Sequence, residues 1–330
     1  MKGLSDFFAR KGTPEIVIFA GKGGLGKTTC SAALAQHMAT VQGKRTLCFS
    51  TDPQASLSDI FEQDFFGKGI IEVLPNLHVV EIDADRRVAA YQEEVKQKIL
   101  EMYSLDELPE EIEEYIDSTS AEPAMYESAT YDAMAELVAE KTHDIYIFDM
   151  PPFGHGVRMV AMADILSKWV EKITEAREKA GEYEAVAATL KGTKVSEDEV
   201  LRELMEIKSK ITTFTDLITD TKRTAFFMVL IPEKMAILDT ERALEMFEAL
   251  GIGMSGLIVN MIYPQSLLER SSLSDLLRNR IKMQKKHLDM MREKFADQIV
   301  CALPMYPREP KGLEMIARVA EDLMESKVAI

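Results

Sequence analysis

The chain has 330 residues, with 39 Lys plus Arg against 55 Asp plus Glu, for a formal net charge of −16. A chain this long buries roughly 75% of its unfolded surface, so a large core forms without staples. The acidic balance argues against DNA or RNA as a main partner and against passive adhesion to an anionic membrane, because both need a basic footprint.

Apolar residues at 46% and charged residues at 28% describe an ordinary folded protein, not a disordered one. Cys30, Cys48 and Cys301 are too few and too scattered for a disulfide framework, so a reducing cytoplasm is the expected setting. They fall on predicted core elements and read as small buried apolar residues. No apolar run reaches the ~18 residues of a membrane helix, and the N-terminus has no signal-peptide core.

In chain order, short β-rich apolar runs occur at residues 16–20, 46–49, 77–82, 145–148, 225–231, 256–260 and 299–303. Several are apolar at consecutive positions, the pattern of strands covered on both faces and hence of a mostly parallel sheet. Helical patterns separate them at 28–40, 239–250 and 311–324. The alternation predicts an α/β protein with a doubly wound sheet.

Two intervals, about 86–140 and 157–221, show no strand pattern and read as helical insertions in one domain spanning 1–330. In the second, Val200, Leu204, Ile207, Ile211, Phe214 and Ile218 share one helix face, widened by Leu201, Met205 and Leu217. Leu166, Trp169, Val170 and Ile173 form another such stripe.

Directly after the first strand comes Gly21-Lys22-Gly23-Gly24-Leu25-Gly26-Lys27-Thr28-Thr29, which fits G-x-x-x-x-G-K-[ST] between a strand and a helix. Glycines let backbone amides turn inward around phosphate oxygens, and the helix adds its positive end. Lys27 supplies charge to the terminal phosphates, and the Thr28 hydroxyl suits Mg²⁺. This is a P-loop NTPase signature. Lys22 is a second lysine in the loop, either solvated or functional.

Asp52 and Asp149 stand at the C-terminal ends of predicted strands, where open α/β sheets bind ligands. Asp149 suits a Walker-B position near Mg²⁺, with a plain strand-end or helix-capping aspartate as the alternative. Asp52 suits orientation of an attacking water.

Together these residues resemble the dimeric ATPase family containing the arsenite-pump ATPase and the targeting ATPase for tail-anchored membrane proteins. The resemblance runs from about Ile16 to Glu325. The loop from Lys22 to Thr28 resembles that family's deviant P-loop. Ser50-Thr51-Asp52-Pro53 with Ser56-Leu57-Ser58-Asp59 resembles its switch I, and Asp149 with Pro152, Gly154, His155 and Arg158 resembles its switch II. Ile231-Pro232-Glu233 with Thr240-Glu241-Arg242 matches a further stretch. Asn260 with Pro264, and Pro304 with Glu309 and Gly312, resemble its adenine-contacting segments.

The resemblance implies Mg²⁺-dependent ATP hydrolysis by a homodimer. Gly21, Gly23, Gly24, Leu25, Gly26, Lys27, Thr28 and Thr29 would hold phosphate. Lys22 would act on the partner subunit's nucleotide, Asp52 would position water, Asp149 would support the metal, and Asn260 and Pro304 would meet the adenine. His155 reads equally as a sensor or as a hydrogen-bonded loop histidine.

The departures are informative. Targeting members carry a zinc-sharing Cys-x-x-Cys just before an R-x-K-M-Q-K-K stretch; here the stretch is Arg280–Lys286, and Ser274 and Leu277 stand at the cysteine positions. Neither supplies a thiolate, so no zinc is expected. The stretch Met150–Val170, where iron-protein relatives need a cluster cysteine soon after switch II, has none. None lies between Cys48 and Cys301 to bind a thiophilic metalloid. In switch I, Gln54-Ala55 replaces the family's usual Ala-His.

Two functions remain from different classes. One is an ATP-driven carrier of hydrophobic helix cargo such as tail-anchored proteins, in which helices of the insert would form the groove; the stripes themselves read first as internal packing against each other and the sheet. The other is the motor of a membrane arsenite or anion pump. A division-placement ATPase is disfavoured, because the C-terminal Glu321-Asp322-Leu323-Met324-Glu325 is acidic.

Overall fold

The computed structural model describes residues 3–52, 55–103, 107–109, 112–114, 117, 123–151, 168, 171–172, 175, 205, 209, 212–270 and 272–328. Its strands are β1 (Ile16–Ala20), β2 (Thr46–Ser50), β3 (Ile71–Leu74), β4 (Leu77–Glu81), β5 (Ile145–Asp149), β6 (Thr224–Leu230), β7 (Met254–Ile262) and β8 (Ile299–Pro304). Its helices are α1 (Gly3–Lys11), α2 (Lys27–Thr40), α3 (Ser56–Phe61), α4 (Ala84–Tyr103), α5 (Pro123–Ala139), α6 (Lys234–Ala249), α7 (Asp275–Phe295) and α8 (Gly312–Glu325).

The strands form one sheet in the order β3-β4-β2-β5-β1-β6-β7-β8. Every pairing is parallel except β3 with β4. Strands β1, β2, β5 and β6 are buried at every position. That explains their unbroken apolar runs: both faces are covered, and no position meets solvent. On one face α1, α2, α3 and α8 enclose a core that includes Phe19, Phe227, Leu34 and Val319. On the other, α5, α6, α7 and residues 212–219 enclose a core that includes Phe148, Phe226, Phe247 and Met291.

The expected α/β architecture is present, with corrections at its edges. β3 has no counterpart in the sequence reading. It is a four-residue antiparallel edge strand, only partly buried, so it lacks the continuous apolar signature. Its turn into β4 uses Asn76 at φ 68, a left-handed position that asparagine tolerates. Helix α6 begins at Lys234, five residues before the expected 239, and β7 extends beyond 256–260 at both ends.

Helices α4 and α5 lie in the first strandless interval. Most of the second, including Leu166, Trp169, Val170, Ile173, Val200, Leu201, Leu204, Ile207 and Ile211, is outside the described residues. Residues 212–219 are helical there, and Phe214, Leu217 and Ile218 are buried as their spacing predicts. Met205, expected to widen that face, is instead exposed at 46%. All three cysteines are buried and unpaired. No helix among the described residues is long and apolar enough to cross a membrane.

Candidate nucleotide site

Strand β1 sits between β5 and β6, and the loop leaving its C-terminal end opens α2. Glycine is required there for space as well as conformation. Gly21 has φ 146, and a Cβ on it would lie 2.5 Å from the Val229 carbonyl oxygen. Gly26, the residue before α2, has φ 95, and its Cβ would lie 2.2 Å from Asn260 Nδ2. Gly23 and Gly24 are exposed at the crest of the loop, Leu25 is buried beneath it, and Thr28 and Thr29 are partly buried in the first turn of α2.

Lys27 is 6% exposed and donates from Nζ to the Lys22 carbonyl at 3.3 Å. Burial pulls its pKa down, against the carboxylates of Asp149 and Asp52, which favour the charged form. The Thr28 hydroxyl donates to Asp149 Oδ2 at 2.7 Å. The other oxygen, Oδ1, is buried with no hydrogen-bond partner. Burial pushes the Asp149 carboxyl up to about 7, opposed by Lys27 and the Thr28 hydroxyl. An orphaned carboxylate oxygen beside a threonine hydroxyl fits Mg²⁺, which takes few protein ligands and completes its shell with phosphate and water. Among the described residues no group of three or more His, Cys, Asp or Glu side chains is placed to hold a metal ion.

The structure thus brings Lys27, Thr28 and Asp149 together, with Asp52 within electrostatic reach of Lys27 and Asp149. Lys22 is placed differently. Its ammonium, 60% exposed, pairs with Asp239 Oδ2 on α6 at 3.1 Å. Asn260, 6% exposed, donates from Nδ2 to the Leu25 carbonyl at 2.9 Å, so it touches the glycine loop itself. Pro304 ends β8 opposite Ile262. Pro53, Gln54, Pro152, Gly154, His155 and Arg158 lie outside the described residues. Ser274 is the N-cap of α7, where its hydroxyl accepts from the Leu277 amide at 3.4 Å.

Three residues here were missed from the sequence. Glu81, 1% exposed, accepts from the Leu57 amide at 2.6 Å and from the Ser58 hydroxyl, anchoring α3 behind Asp52. Burial raises its pKa against those two donors. It ends β4 as Asp149 ends β5, and both lie opposite Ser50, so the strand-end rule that found Asp149 applies equally to Glu81. Asp239 pairs with Lys22, 217 positions away, and Gln284 bonds the Met261 carbonyl and the Tyr263 amide from α7; neither contact can be read from the sequence around it.

The model of the family described as "Anion-transporting ATPase" matches residues 14–325. The chain belongs to the anion-transporting ATPase family. It is similar to a putative arsenical pump-driving ATPase 2 of Aquifex aeolicus, 31% identical over 94% of this chain and 99% of that protein. It is also similar to ATPase ASNA1 homolog 2 of Paramecium tetraurelia, 29% identical over 94% of each chain. A third relative, ATPase GET3 of Komagataella phaffii, is 28% identical over 94% of this chain and 89% of that one. The chain is therefore an ATPase of this family, and membership carries use of ATP and Mg²⁺. Of these three names, one specifies the driving of an arsenical pump and two specify an ATPase alone.

Proposed function

We propose that the loop from Gly21 to Thr29 holds the phosphates of Mg-ATP and that water attacks the γ-phosphate in line, without a covalent enzyme intermediate. The observation that carries this reading is the convergence of Lys27, Thr28 and the orphaned Asp149 oxygen at the mouth of the loop. Bound Mg²⁺ would neutralise phosphate charge. Thr28 and Asp149 would hold it, the backbone amides and Lys27 would stabilise charge that builds on the phosphate oxygens, and Asp52 would orient the water. Asn260 and Pro304 would border the base.

The working unit in this reading is a homodimer in which Lys22 serves the partner's nucleotide, with no shared zinc. Lys22 leaves Asp239 to do so. In sedimentation with a γ-phosphate mimic the parent should dimerise, whereas Lys22→Ala should stay largely monomeric and show lowered turnover. Unchanged sedimentation of the variant would remove the trans role.

For the biological role we favour a nucleotide-driven cytoplasmic carrier of hydrophobic helices, built as one ATPase domain with helical insertions near 86–140 and 157–221. What favours it over a metalloid-activated pump motor is the absence of any cysteine between Cys48 and Cys301. Co-expression with a tail-anchor peptide should yield a soluble complex, and arsenite should leave ATP hydrolysis unchanged. The reverse pair of results selects the pump.

A further inference from the structure

Near its end β7 departs from regular strand structure. Met261 has φ 58, a left-handed conformation unfavourable for a side chain of its size. At the same point the β7–β8 ladder shifts register, between the pairs Val259 with Ala302 and Ile262 with Pro304. The regular ladder is therefore broken around Met261 and resumes at Ile262, whose carbonyl accepts from the Met305 amide at 2.8 Å.

The missing bonds come from Gln284, 9% exposed, on the inner face of α7. Its Nε2 donates to the Met261 carbonyl at 2.8 Å, and its Oε1 accepts from the Tyr263 amide at 2.8 Å. Because a carbonyl and an amide face it, the orientation of the Gln284 amide is fixed by its partners. The chain of bonds continues inward. The Met261 amide donates to Asn260 Oδ1 at 2.8 Å, and Asn260 Nδ2 donates to the Leu25 carbonyl in the phosphate loop at 2.9 Å. Gly26, lacking a side chain, leaves the gap through which Asn260 reaches the loop.

We propose that Gln284 is a positioning residue of the nucleotide site: from α7 it clamps the left-handed turn at Met261 and thereby seats Asn260 against the phosphate loop. Gln284 interrupts the buried stripe Ile281, Leu288 and Met291, where an apolar residue would pack as well. Its polar character is explained by the backbone it clamps, and not by the helix it belongs to. Burying an amide in this way is favourable only when both of its ends are satisfied, as they are here. The proposal rests on the reading of the Gly21–Thr29 loop as the phosphate site.

The test is Mg-ATP affinity by calorimetry on the full chain, with thermal melts run alongside. Gln284→Met should weaken binding about five- to tenfold, the scale of holding a non-glycine residue in the left-handed conformation at Met261 without its clamp. Glycine adopts a left-handed backbone without strain. Met261→Gly placed in the Gln284→Met background should therefore recover most of the lost affinity, a rescue that a residue serving only α7 packing would not give. Should Gln284→Met fold poorly, Gln284→Glu keeps the acceptor for Tyr263, loses the donor for Met261, and should still weaken binding. Parent-like affinity in a folded Gln284 variant, or loss of affinity that Met261→Gly does not recover, overturns the clamp while leaving the nucleotide site standing. A parent that binds no Mg-ATP overturns both.

Discussion

At the end of the sheet where the parallel strands finish, Lys27, Glu81 and Asp149 are 6%, 1% and 1% exposed, with Lys27 opening α2 at the glycine loop and Asp149 bonded to Thr28 beside it. At the opposite end, His78 and His143 meet edge to face with ring centroids 4.8 Å apart, and Glu15 and Arg223 pair in solvent at 2.7 Å. Both ends hold buried polar atoms without partners: Asp149 Oδ1 at the first, His78 Nδ1 and His143 Nε2 at the second. Both also hold strongly displaced pKa values, with Asp149 raised to about 7 and His143 lowered to about 4. Perturbed titration alone therefore does not mark a site. Burial produces it at either end by disfavouring the charged form. What differs is convergence. Only at the first end do opposite charges, an orphaned oxygen, a helix N-terminus and a glycine cradle address one point, which is what binding a polyanion requires.

The sharpest way to break this comparison is to remove the convergent cation. Lys27→Met should lower ATP hydrolysis by about 10²–10³-fold, the scale of losing one transition-state charge donor. The fold should survive, because a desolvated lysine is exchanged for an apolar chain of similar length. Phosphate release and a thermal melt check the two parts together; retained turnover would mean that the loop is not the catalytic cradle. Next in size is Asp52→Asn. If Asp52 orients the water, turnover should fall about 100-fold while Mg-ATP affinity stays near the parent value. Equal loss of affinity and turnover would make Asp52 a ligand of the bound nucleotide instead.

Legibility followed the range of the interactions involved. The buried parallel strands and the Gly21–Thr29 loop were readable because each is determined by neighbours in sequence: consecutive apolar positions, then glycines before a lysine and a helix. β3 was not, since an edge strand of Ile71-Glu72-Val73-Leu74 faces solvent on one side and shows no unbroken apolar run. The pairing of Lys22 with Asp239 and the clamp of Gln284 on Met261 join residues 217 and 23 positions apart, and no local pattern encodes them. Asn260 was legible only through family resemblance. Its contact with Leu25 spans 235 positions and depends on the absence of a side chain at Gly26.

The far end of the sheet yields the smallest expected effect and the cleanest control. The His143 pKa is lowered to about 4, chiefly by burial and then by the neighbouring His78 and Arg45, against the opposing carboxylate of Asp144. Its Nδ1 lies 2.9 Å from the Thr142 hydroxyl, and its ring packs against Tyr146. The folded chain thus favours the neutral ring, whereas the unfolded chain protonates it near pH 6.5. The resulting stability is fully present above about pH 6.5 and is lost as the pH falls through the window down to about 4. Because the ring is partly exposed, solvent screening brings the loss to about 1–2 kcal/mol. Urea unfolding at pH 7.5 and at pH 4.5 should show His143→Gln losing that much less stability than the parent on acidification, with hydrolysis at pH 7.5 unchanged. An identical acid response in the two proteins would show that His143 does not carry the titration. A change in turnover would mean that the two ends communicate, and that perturbed groups remote from the cradle bear on catalysis after all.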